Sequence, residues 1–457
     1  MEQNNPQFAP QPPAAEPTGL GEPADLAEPA GSLSSTLGIS DSYLWTLLAL
    51  LMSVTIFEGY DVTIFHLCTP DIAKTFHLDD RAVGTMASIV RLGGMIAFAV
   101  VMLSDLIGRK PVMSATVLFY TLFTFFTAIS RGLASFTIFQ ACSQIFLSAE
   151  FDVAIIMISE EFPDSARGRG VALLHMVGLL GVVAGGFLYG RVADSSFGWR
   201  GMYLIGILPL LLVAFMRRRL RETGRFIAMR EARTPEQIIE LRKIGASIAH
   251  AFAPLRGPYR GRLLLVAMLW NSVGLVGTPA VTFFSLYAKR DHHWTSSQIG
   301  QAVVLAYVIG TLGHLAAGWM LDRIGRKATL SLTYVLGAVA IFALFQTATH
   351  AAMLTSMVIT VVAFQAARTA TATYSAELFP TEIRATSYSM TVNLLGALAG
   401  LATPFTIGAL SHSMGGLGNA VALVSIGPVI GAAVVILFAP ETRGATLEQL
   451  AVGAAAD

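Results

Sequence analysis

Twelve long apolar runs, separated by short polar breaks, constrain this chain more than any other feature of its sequence. Each run is close to the roughly 20 residues that an α-helix needs to cross about 30 Å of hydrocarbon. The runs lie near 43–67, 83–103, 111–130, 133–158, 169–190 and 200–216, and then near 263–288, 299–320, 328–348, 351–376, 386–410 and 419–439. Only 13% of the 457 residues are charged, against about 25% in a soluble domain. We therefore predict an all-α protein with twelve transmembrane helices.

Two unlike motifs recur in this sequence at the same spacing. Asp-x-x-Gly-Arg-Lys begins at Asp105 and at Asp322, and Glu-x-x-Pro-x-x-x-Arg begins at Glu160 and at Glu377. The two offsets are equal, because 322 − 105 and 377 − 160 both give 217. Since both pairs share one register, we predict two pseudo-symmetric halves of six helices each. The expected division is a tail at 1–40, a half at 43–216, a linker at 217–262, a half at 263–439 and a tail at 440–457.

The distribution of basic residues predicts the orientation in the membrane. The segment 217–262 carries twelve basic and four acidic residues, and basic loops stay on the cytoplasmic side. With that segment inside, 21 of the 30 Lys and Arg lie in cytoplasmic loops or tail, 7 in outward loops and two within helices. We therefore expect a multi-pass protein of the inner (plasma) membrane with both termini in the cytoplasm. This sorting explains the basic segment without nucleic-acid binding.

The tail at 1–40 is rich in Pro, Ala and Gly and carries five acids without any Lys or Arg. Such a composition cannot bury enough apolar surface to become ordered, so we expect a disordered cytoplasmic tail.

The two Gly-Arg-Lys loops are predicted to be short reversals between membrane helices. They comprise Asp105, Gly108, Arg109 and Lys110 in the first half and Asp322, Gly325, Arg326 and Lys327 in the second. Glycine permits a positive φ at the turn, and the basic residues hold it at an anionic surface. One interpretation is a structural turn and anchor. The other is a latch, in which Asp322 and Arg326 form and break a contact during transport.

These motifs resemble those of the major facilitator superfamily, and the resemblance covers about residues 43–445. The family's loop motif begins with a glycine. The second copy has this glycine, Gly318, whereas the first copy has Val101 at the same position. A close approach of helices is therefore expected only at the second copy. The segment 440–448 resembles the sugar-porter-related branch, and 221–226 is a degraded form of that branch's other tail motif. The resemblance implies alternating access by two rocking halves and gating roles for Glu160, Arg167, Glu377 and Arg384.

Ionisable residues inside the predicted helices carry the information about substrate, because such residues usually face a water-filled cavity. They are Glu58 and Asp61 in the first helix, Arg91 in the second, Glu150 and Asp152 in the fourth and Arg368 in the tenth. Glu58 and Asp61 share a helix face, and Arg91 is expected at the depth of Glu58, so Glu58 and Arg91 could pair. Position 368 corresponds to 151 in the first half, so Arg368 should lie level with Glu150 and Asp152, only one of which reaches the cavity.

The string Glu58-Gly59-Tyr60-Asp61 resembles the Asp-Gly-x-Asp motif in the first helix of aromatic-acid/proton symporters of this superfamily. We expect Asp61, or else Glu58, to carry the coupling proton. We expect Arg368, assisted by Arg91, to bind a substrate carboxylate, with Glu150 or Asp152 neutralising Arg368 in the empty state. The alternatives are a structural cluster of the first-helix acids with Arg91 and a permanent bridge between Arg368 and an acid.

The predicted function is proton-coupled transport of a small organic acid by a monomer that needs no cofactor or metal. Its partners would be a carboxylate substrate, protons and the lipid bilayer. A sugar or polyol porter is the first alternative, favoured by the tail motifs, whereas the membrane arginine and paired acids favour an anion. A non-transporting receptor is the second. The sequence has no phosphate loop, plausible metal cluster or nucleophile elbow that would indicate an enzyme.

Overall fold

The computed structural model describes residues 42–208, 219–232, 259–379, 387 and 390–443. The predicted tail at 1–40 lies outside the described residues, as do 233–258 of the linker and 444–457 at the C-terminal end. Within the described part the chain forms helices and turns, with no β-strand.

The first half begins with five long helices and continues into shorter ones. They are α1 (Ser42–Phe76), α2 (Asp80–Ile107), α3 (Arg109–Ala128), α4 (Leu133–Glu161), α5 (Asp164–Val192), α6 (Gly198–Ile205) and, in the linker, α7 (Gly224–Ala232). The predicted sixth span, 200–216, is therefore described only over its first part, because 209–218 lie outside the described residues.

The second half repeats this pattern. It comprises α8 (Arg260–Arg290), α9 (Ser296–Ile324), α10 (Arg326–Gln346), α11 (His350–Glu377), a π-helical turn (Met390–Leu395), α12 (Leu398–Ser411), α13 (Leu417–Val424) and α14 (Ile426–Phe438). The starts of α3 and α10, at 109 and 326, and those of α4 and α11, at 133 and 350, are separated by the offset that relates the motifs. The spacing found in the motifs is thus also the spacing of the helices.

Ten helical segments of the described part are long and apolar enough to cross a membrane. Many of their large apolar side chains face outward, including Leu315 at 72% exposure and Leu437 and Phe438 at 71%. A water-facing surface of this kind would aggregate, whereas a bilayer provides its natural solvent. The protein is therefore an all-α membrane protein.

Helix α1 is longer than the sequence indicated, because it continues through Pro70 to Phe76. A proline inside a helix leaves the carbonyl four residues earlier without its N–H donor. Here that carbonyl belongs to His66, and the Ser285 hydroxyl of α8 donates to it. A neighbouring helix thus satisfies the group that Pro70 leaves open, as buried helices in membranes require.

This extension corrects the expected pairing of Glu58 with Arg91. Glu58 lies about five helical turns before the end of α1 at Phe76, whereas Arg91 lies about three turns after the start of α2 at Asp80. The difference of about two turns places Glu58 about 10 Å deeper than Arg91. The two residues were expected at one depth only because α1 was predicted to end near 67.

The eleventh predicted span, 386–410, is interrupted between its π-helical turn and α12. Asn271 of α8 fills the interruption: its amide donates to the Leu395 carbonyl (2.9 Å), and its oxygen accepts from the Ala399 N–H (2.6 Å). A side chain from a packed helix therefore satisfies backbone groups that the irregular turn leaves open.

The glycines of α5 serve two different interfaces. A Cβ added at Gly181 would lie 1.9 Å from the Ile56 carbonyl oxygen of α1, so this contact is within the first half. A Cβ at Gly186 or Gly190 would instead lie 2.6 Å from Val304 or Ser297 of α9, in the second half. By contrast, a Cβ at Gly318 would meet no atom of the described residues within 4 Å. The close approach expected at Gly318 is thus not made in this state.

We predict that Gly181→Ala destabilises the protein by about 1–3 kcal/mol, because the added methyl group would overlap a backbone oxygen that cannot move away cheaply. Gly318→Ala is the matched control and should be neutral. The measurement is the apparent melting temperature of both purified variants in one detergent. Equal melting temperatures would contradict the packing described here.

Candidate functional site between the two halves

The two halves are tied together at the helix ends opposite the Gly-Arg-Lys loops, which we call the outer ends. Lys289 of α8 forms an ion pair with Asp71 of α1 (2.8 Å) and donates to the Ser296 hydroxyl (2.8 Å). Ser296 donates to Asp194 beyond α5 (2.7 Å), and Tyr189 donates to Asp71 (2.7 Å). This outer network therefore connects the ends of α1 and α5 in one half with α8 and α9 in the other.

Further interhalf contacts lie near the same ends. Arg290 pairs with Asp80 at the start of α2. Ser88 of α2 donates to the Leu401 carbonyl (2.7 Å) and accepts from the Phe405 N–H (3.0 Å). Together with the close packing of the α5 glycines on α9, these contacts close the protein on its outer side.

Arg368 lies deeper, on α11. Its side chain is exposed, its guanidinium lies 5.7 Å from the centre of the Phe364 ring, and within the described residues it forms no ion pair. Glu58 of α1, which is half-buried, lies within electrostatic range of Arg368 and of Asp152. The expected neutralisation of Arg368 by a directly paired Glu150 or Asp152 is therefore not formed in this state.

Two histidines accompany Arg368. His175 of α5 and His314 of α9 both lie within its electrostatic range, and both side chains are exposed. The His175 ring also packs edge-on against Phe151, with the ring centres 5.2 Å apart. The cation is thus surrounded by aromatic and imidazole rings from both halves.

These residues lie at one depth. Glu58, Arg368 and His314 are each about five helical turns from the outer end of their helix, at Phe76, His350 and Ser296 respectively. Their separations in sequence from those ends (76 − 58, 368 − 350 and 314 − 296) are equal and correspond to about 27 Å of helix. A layer of ionisable side chains between the halves is therefore a feasible binding site for a small charged molecule.

Asp61 and Glu150 form a separate group inside the first half. They are 3% and 0% exposed and lie within electrostatic range of each other. Among the described residues, none of their four carboxyl oxygens meets the distance and angle of a hydrogen bond, and Thr124 is the hydroxyl beside Asp61. A Cβ at Gly206 would lie 2.5 Å from Asp61 Oδ1, so this glycine makes room for the carboxyl group. The fourth-helix acids differ in their surroundings: Glu150 is fully buried within electrostatic range of both Asp61 and Glu58, whereas Asp152 is partly buried and lies within range of Glu58. Isolated buried carboxylates are costly in an apolar interior, so these two groups are suited to holding protons.

Arg91 contacts the second half closer to the outer ends than the layer of Glu58, Arg368 and His314. Its guanidinium is within 3.5 Å of the Thr282 hydroxyl of α8 and lies beside Gly400 of α12. The Arg91 Nε group is buried, and no described residue accepts a hydrogen bond from it. Arg91 and Arg368 both lie within electrostatic range of Tyr307, so Arg91 occupies the outer side of the same region.

The Gly-Arg-Lys loops form two equivalent clusters on the opposite side of the protein. Gly108 and Gly325 have φ values of +110° and +88°, which explains the need for glycine at both turns. Arg109 binds both oxygens of Glu160 through its guanidinium (2.8–3.2 Å), and Arg326 binds Glu377 in the same way (2.7–3.2 Å).

Each cluster is completed by an acid and a threonine from a following segment. In the first half, Glu222 accepts from the Arg109 N–H (2.8 Å), and Thr223 donates to Glu160 (2.5 Å). In the second half these roles belong to Glu441 and Thr442: Glu441 accepts from the Arg326 N–H (2.9 Å), and Thr442 donates to Glu377 (2.5 Å). The segment at 221–226 thus keeps the side chains that make these contacts and lacks only the prolines.

The remaining gating residues take part unequally. Asp105 pairs with Arg109 (2.9 Å), whereas Asp322 forms no ion pair with Arg326 in this state. Lys110 and Lys327 contribute backbone N–H groups to Glu222 and Glu441 (3.4 and 3.1 Å). The Arg167 side chain and the whole of Arg384 lie outside the described residues.

Glu441 lies outside the membrane helices, and its protonation can be considered directly. Burial alone would raise the pKa of its carboxyl. Backbone N–H groups of Arg326, Lys327, Arg443 and Thr442 nevertheless hold that pKa below its usual value. The C-terminal contact is therefore present at neutral pH and weakens only as the pH falls through this lowered pKa.

The sequence carries no recognisable signal of the outer network. Asp71, Lys289 and Asp194 lie at helix ends and belong to no recognised motif, so only the three-dimensional arrangement brings them together. Glu222 and Glu441 carried a signal, because each precedes a threonine in two related tail segments.

A family model described as "Major Facilitator Superfamily" matches residues 51–404 and 264–454. Among curated relatives, the gallate transporter of Pseudomonas putida is 25% identical over 386 residues, which cover 79% of this chain and 84% of that protein. The 4-hydroxybenzoate transporter PcaK of Pseudomonas aeruginosa is 24% identical over 380 residues, covering 78% and 85%. The niacin transporter NiaP of Acinetobacter baylyi is 26% identical over 418 residues, covering 86% and 93%.

Solved structures share the fold. A D-xylose–proton symporter superposes with a TM-score of 0.73 at 18% identity, over 89% of this chain and 100% of that one. The inward-open xylose transporter XylE from E. coli superposes with a TM-score of 0.71 at 20% identity, over 89% and 99%. At this level of identity the likeness shows a common architecture.

We predict that Lys289→Met opens the outer side more often. Charge-assisted hydrogen bonds contribute about 1.5–3 kcal/mol each, so the open population should rise about tenfold when Lys289 no longer holds Asp71. Cys68 is fully buried beside this network and serves as a native reporter in a Cys142→Ala background. Its labelling by a membrane-impermeant maleimide should accelerate accordingly, with Lys74→Met as the matched control. Equal rates in the two variants would show that the network does not hold the halves together.

Proposed function

Since the chain belongs to the major facilitator superfamily, we propose that it is a secondary transporter that carries a small aromatic carboxylate by proton symport. The observation that supports this most is Arg368, an exposed cation in the layer between the halves that has no ion-pair partner in the described part of the chain. The planar guanidinium fork binds a carboxylate with two parallel hydrogen bonds. A carboxylate substrate would therefore supply the partner that Arg368 lacks.

The surroundings of Arg368 favour a ring beside the carboxylate. Phe364 lies under the guanidinium, and His175 packs on Phe151 across the same layer. Aromatic faces stack on planar rings and on Arg guanidinium groups. The relatives named for gallate, 4-hydroxybenzoate and niacin all carry substrates of this shape, a planar ring with a carboxylate.

Binding and proton uptake are coupled, in this proposal, through Glu58. In the empty state the charge of Arg368 favours the ionised form of Glu58, which lies within its electrostatic range. An arriving carboxylate neutralises Arg368 and leaves Glu58 among the acids Asp152, Asp61 and Glu150 without a compensating cation, so that Glu58 takes up a proton. Glu58, rather than Glu150, is therefore the acid that competes with substrate.

Asp61 and Glu150 would carry the proton through the first half. Both are buried, and their carboxyl oxygens have no hydrogen-bond partner in the described part of the chain, so each is most stable when protonated or when it shares a proton with its neighbour. Both also lie within electrostatic range of Glu58. The three carboxyl groups could thus pass a proton between the substrate layer and the interior.

Transport would proceed by rocking of the halves, 43–216 and 263–439, about this layer. The outer network and the interhalf glycines hold the outer side closed in the present state. The clusters at the Gly-Arg-Lys loops join helices of the same half to one another. We propose that each cluster keeps its half rigid as the half moves. The orientation proposed is the one that basic residues favour, with these clusters and both termini in the cytoplasm of a monomeric inner-membrane protein. Cys68 labelling on intact cells also tests this orientation, since reaction from the medium requires outward-facing outer ends.

The function is tested by uptake into proteoliposomes. Purified protein should accumulate benzoate or 4-hydroxybenzoate when the outer solution is acidic, and accumulation should collapse when the pH gradient is removed. Xylose and a polyol are the competing probes. Saturable uptake of those probes without carboxylate uptake would establish the sugar or polyol alternative instead.

We predict that Arg368→Lys weakens carboxylate binding by about 1.5–3 kcal/mol, which is ten- to a hundredfold, because lysine keeps the charge but loses the fork. Arg191→Lys is the matched control: Arg191 also lies over a phenyl ring, that of Phe187, but at an outer end. Equilibrium binding of labelled 4-hydroxybenzoate measures the effect. Unchanged affinity in Arg368→Lys would remove Arg368 from the binding site.

We predict that Asp61→Asn abolishes accumulation driven by a pH gradient while leaving exchange of internal for external substrate. The amide fills the same space but cannot release a proton. Glu231→Gln, in the exposed linker helix, is the control for expression and reconstitution. If Asp61→Asn still concentrates substrate against its gradient, the proton is carried elsewhere, and Glu150→Gln becomes the next variant to measure.

A further inference from the structure

The contacts of Thr369 with His314 and with the Gln365 carbonyl provide a basis for assigning the proton of the His314 ring to one of its nitrogens. The Thr369 hydroxyl donates its only hydrogen to the Gln365 carbonyl (3.1 Å), four residues earlier in α11. With the hydroxyl hydrogen on that carbonyl, the contact of 2.6 Å between Thr369 Oγ1 and His314 Nδ1 is a hydrogen bond donated by Nδ1–H, and this is the tautomer that we assign. In a neutral imidazole with a proton on Nδ1, Nε2 is an acceptor only.

The packing of α9 against α11 holds this ring in place. A Cβ at Gly313 would lie 2.3 Å from the Val362 carbonyl oxygen, and one at Gly310 would lie 2.7 Å from Val361. The two helices therefore approach closely one residue and one turn away from His314. The bond to Thr369 fixes the remaining rotation, so the ring presents its Nε2 edge in a defined direction.

His314 also lies level with the cation. Its partner Thr369 follows Arg368 directly, and both His314 and Arg368 lie about five helical turns from the outer ends of their helices. The His314 side chain is exposed and lies within electrostatic range of Arg368 and of His175, which belongs to the other half. One wall of the layer thus places a bidentate cation and a single hydrogen-bond acceptor side by side.

We propose that His314 is a specificity-determining residue, which accepts a hydrogen bond at Nε2 from a hydroxyl or N–H group on a substrate whose carboxylate binds Arg368. This inference rests on the proposed function and narrows it to ring carboxylates that carry a donor group. A substrate without the donor leaves the acceptor unpaired, and one with an ether oxygen in its place brings two acceptors together. A purely structural role, in which the bond only joins α9 to α11, makes no such distinction between ligands.

The test compares dissociation constants of purified protein for benzoate, 3- and 4-hydroxybenzoate and the corresponding methoxybenzoates. The unmodified protein should bind at least one hydroxybenzoate about three- to tenfold more tightly than benzoate and than its methoxy counterpart. His314→Phe, which keeps a ring but no nitrogen, should remove that preference and change benzoate affinity less than twofold. Thr311→Val, on the same helix, should behave as the unmodified protein.

A second variant addresses the tautomer and covers the case in which His314→Phe does not fold. Thr369→Val removes the acceptor at Nδ1, so the ring can carry its proton on Nε2, and the preference for hydroxyl over methoxy should shrink or reverse. Equal loss of affinity for all five ligands in His314→Phe, or no hydroxyl preference in the unmodified protein, would overturn the inference. If benzoate binding still depends on Arg368 in that case, the proposed function stands. If no carboxylate binds at all, the proposed function is wrong, and the inference about His314 is wrong with it.

Discussion

An ionised side chain in an apolar interior is unstable unless another charge, a hydrogen-bond donor or water accompanies it. Most other features of this structure follow from how that requirement is met. At the outer ends, Lys289 and Arg290 are paired with Asp71 and Asp80. At the Gly-Arg-Lys loops, each arginine forms an ion pair with a glutamate. The layer between the halves is the exception. There, we propose, a bound ligand and protons compensate the charges of the side chains.

The duplication of the chain makes this exception easy to recognise. The loop clusters of the two halves match almost atom for atom, from the arginine fork to the threonine that completes it. The central residues do not match: the first half supplies Glu58, Asp61 and Glu150, and the second supplies Arg368. The loop clusters, which serve both halves alike, have kept their symmetry. At the depth of Arg368, in contrast, the first half supplies acids and the second half supplies the arginine, with Arg91 of the first half on the outer side. Such a division suits a transporter that must bind an anion and a proton together.

Most of the fold could be predicted from the sequence, because bilayer thickness and the repeat spacing leave few alternatives for apolar runs of this length. The site could be predicted only in part. Arg368 could be identified because arginines are rare in membrane helices. The pairing of Glu58 could not, because it depends on where α1 ends. That helix continues past Pro70, since Ser285 of another helix satisfies the His66 carbonyl. The contribution of Glu222 required contacts between segments far apart in the chain. His314 carried no signal in the sequence, since its meaning lies in a hydrogen bond to Thr369 and in its nearness to Arg368.

In the transport cycle proposed for this protein, a carboxylate at Arg368 displaces the charge interaction of Glu58 and so brings a proton into the protein. Calorimetric binding of 4-hydroxybenzoate at pH 7, in two buffers with different ionisation enthalpies, measures that proton directly. We expect net proton uptake on binding, and its loss in Glu58→Gln while binding persists. Binding of the carboxylate with the same heat in both buffers, and hence without proton uptake, would contradict it.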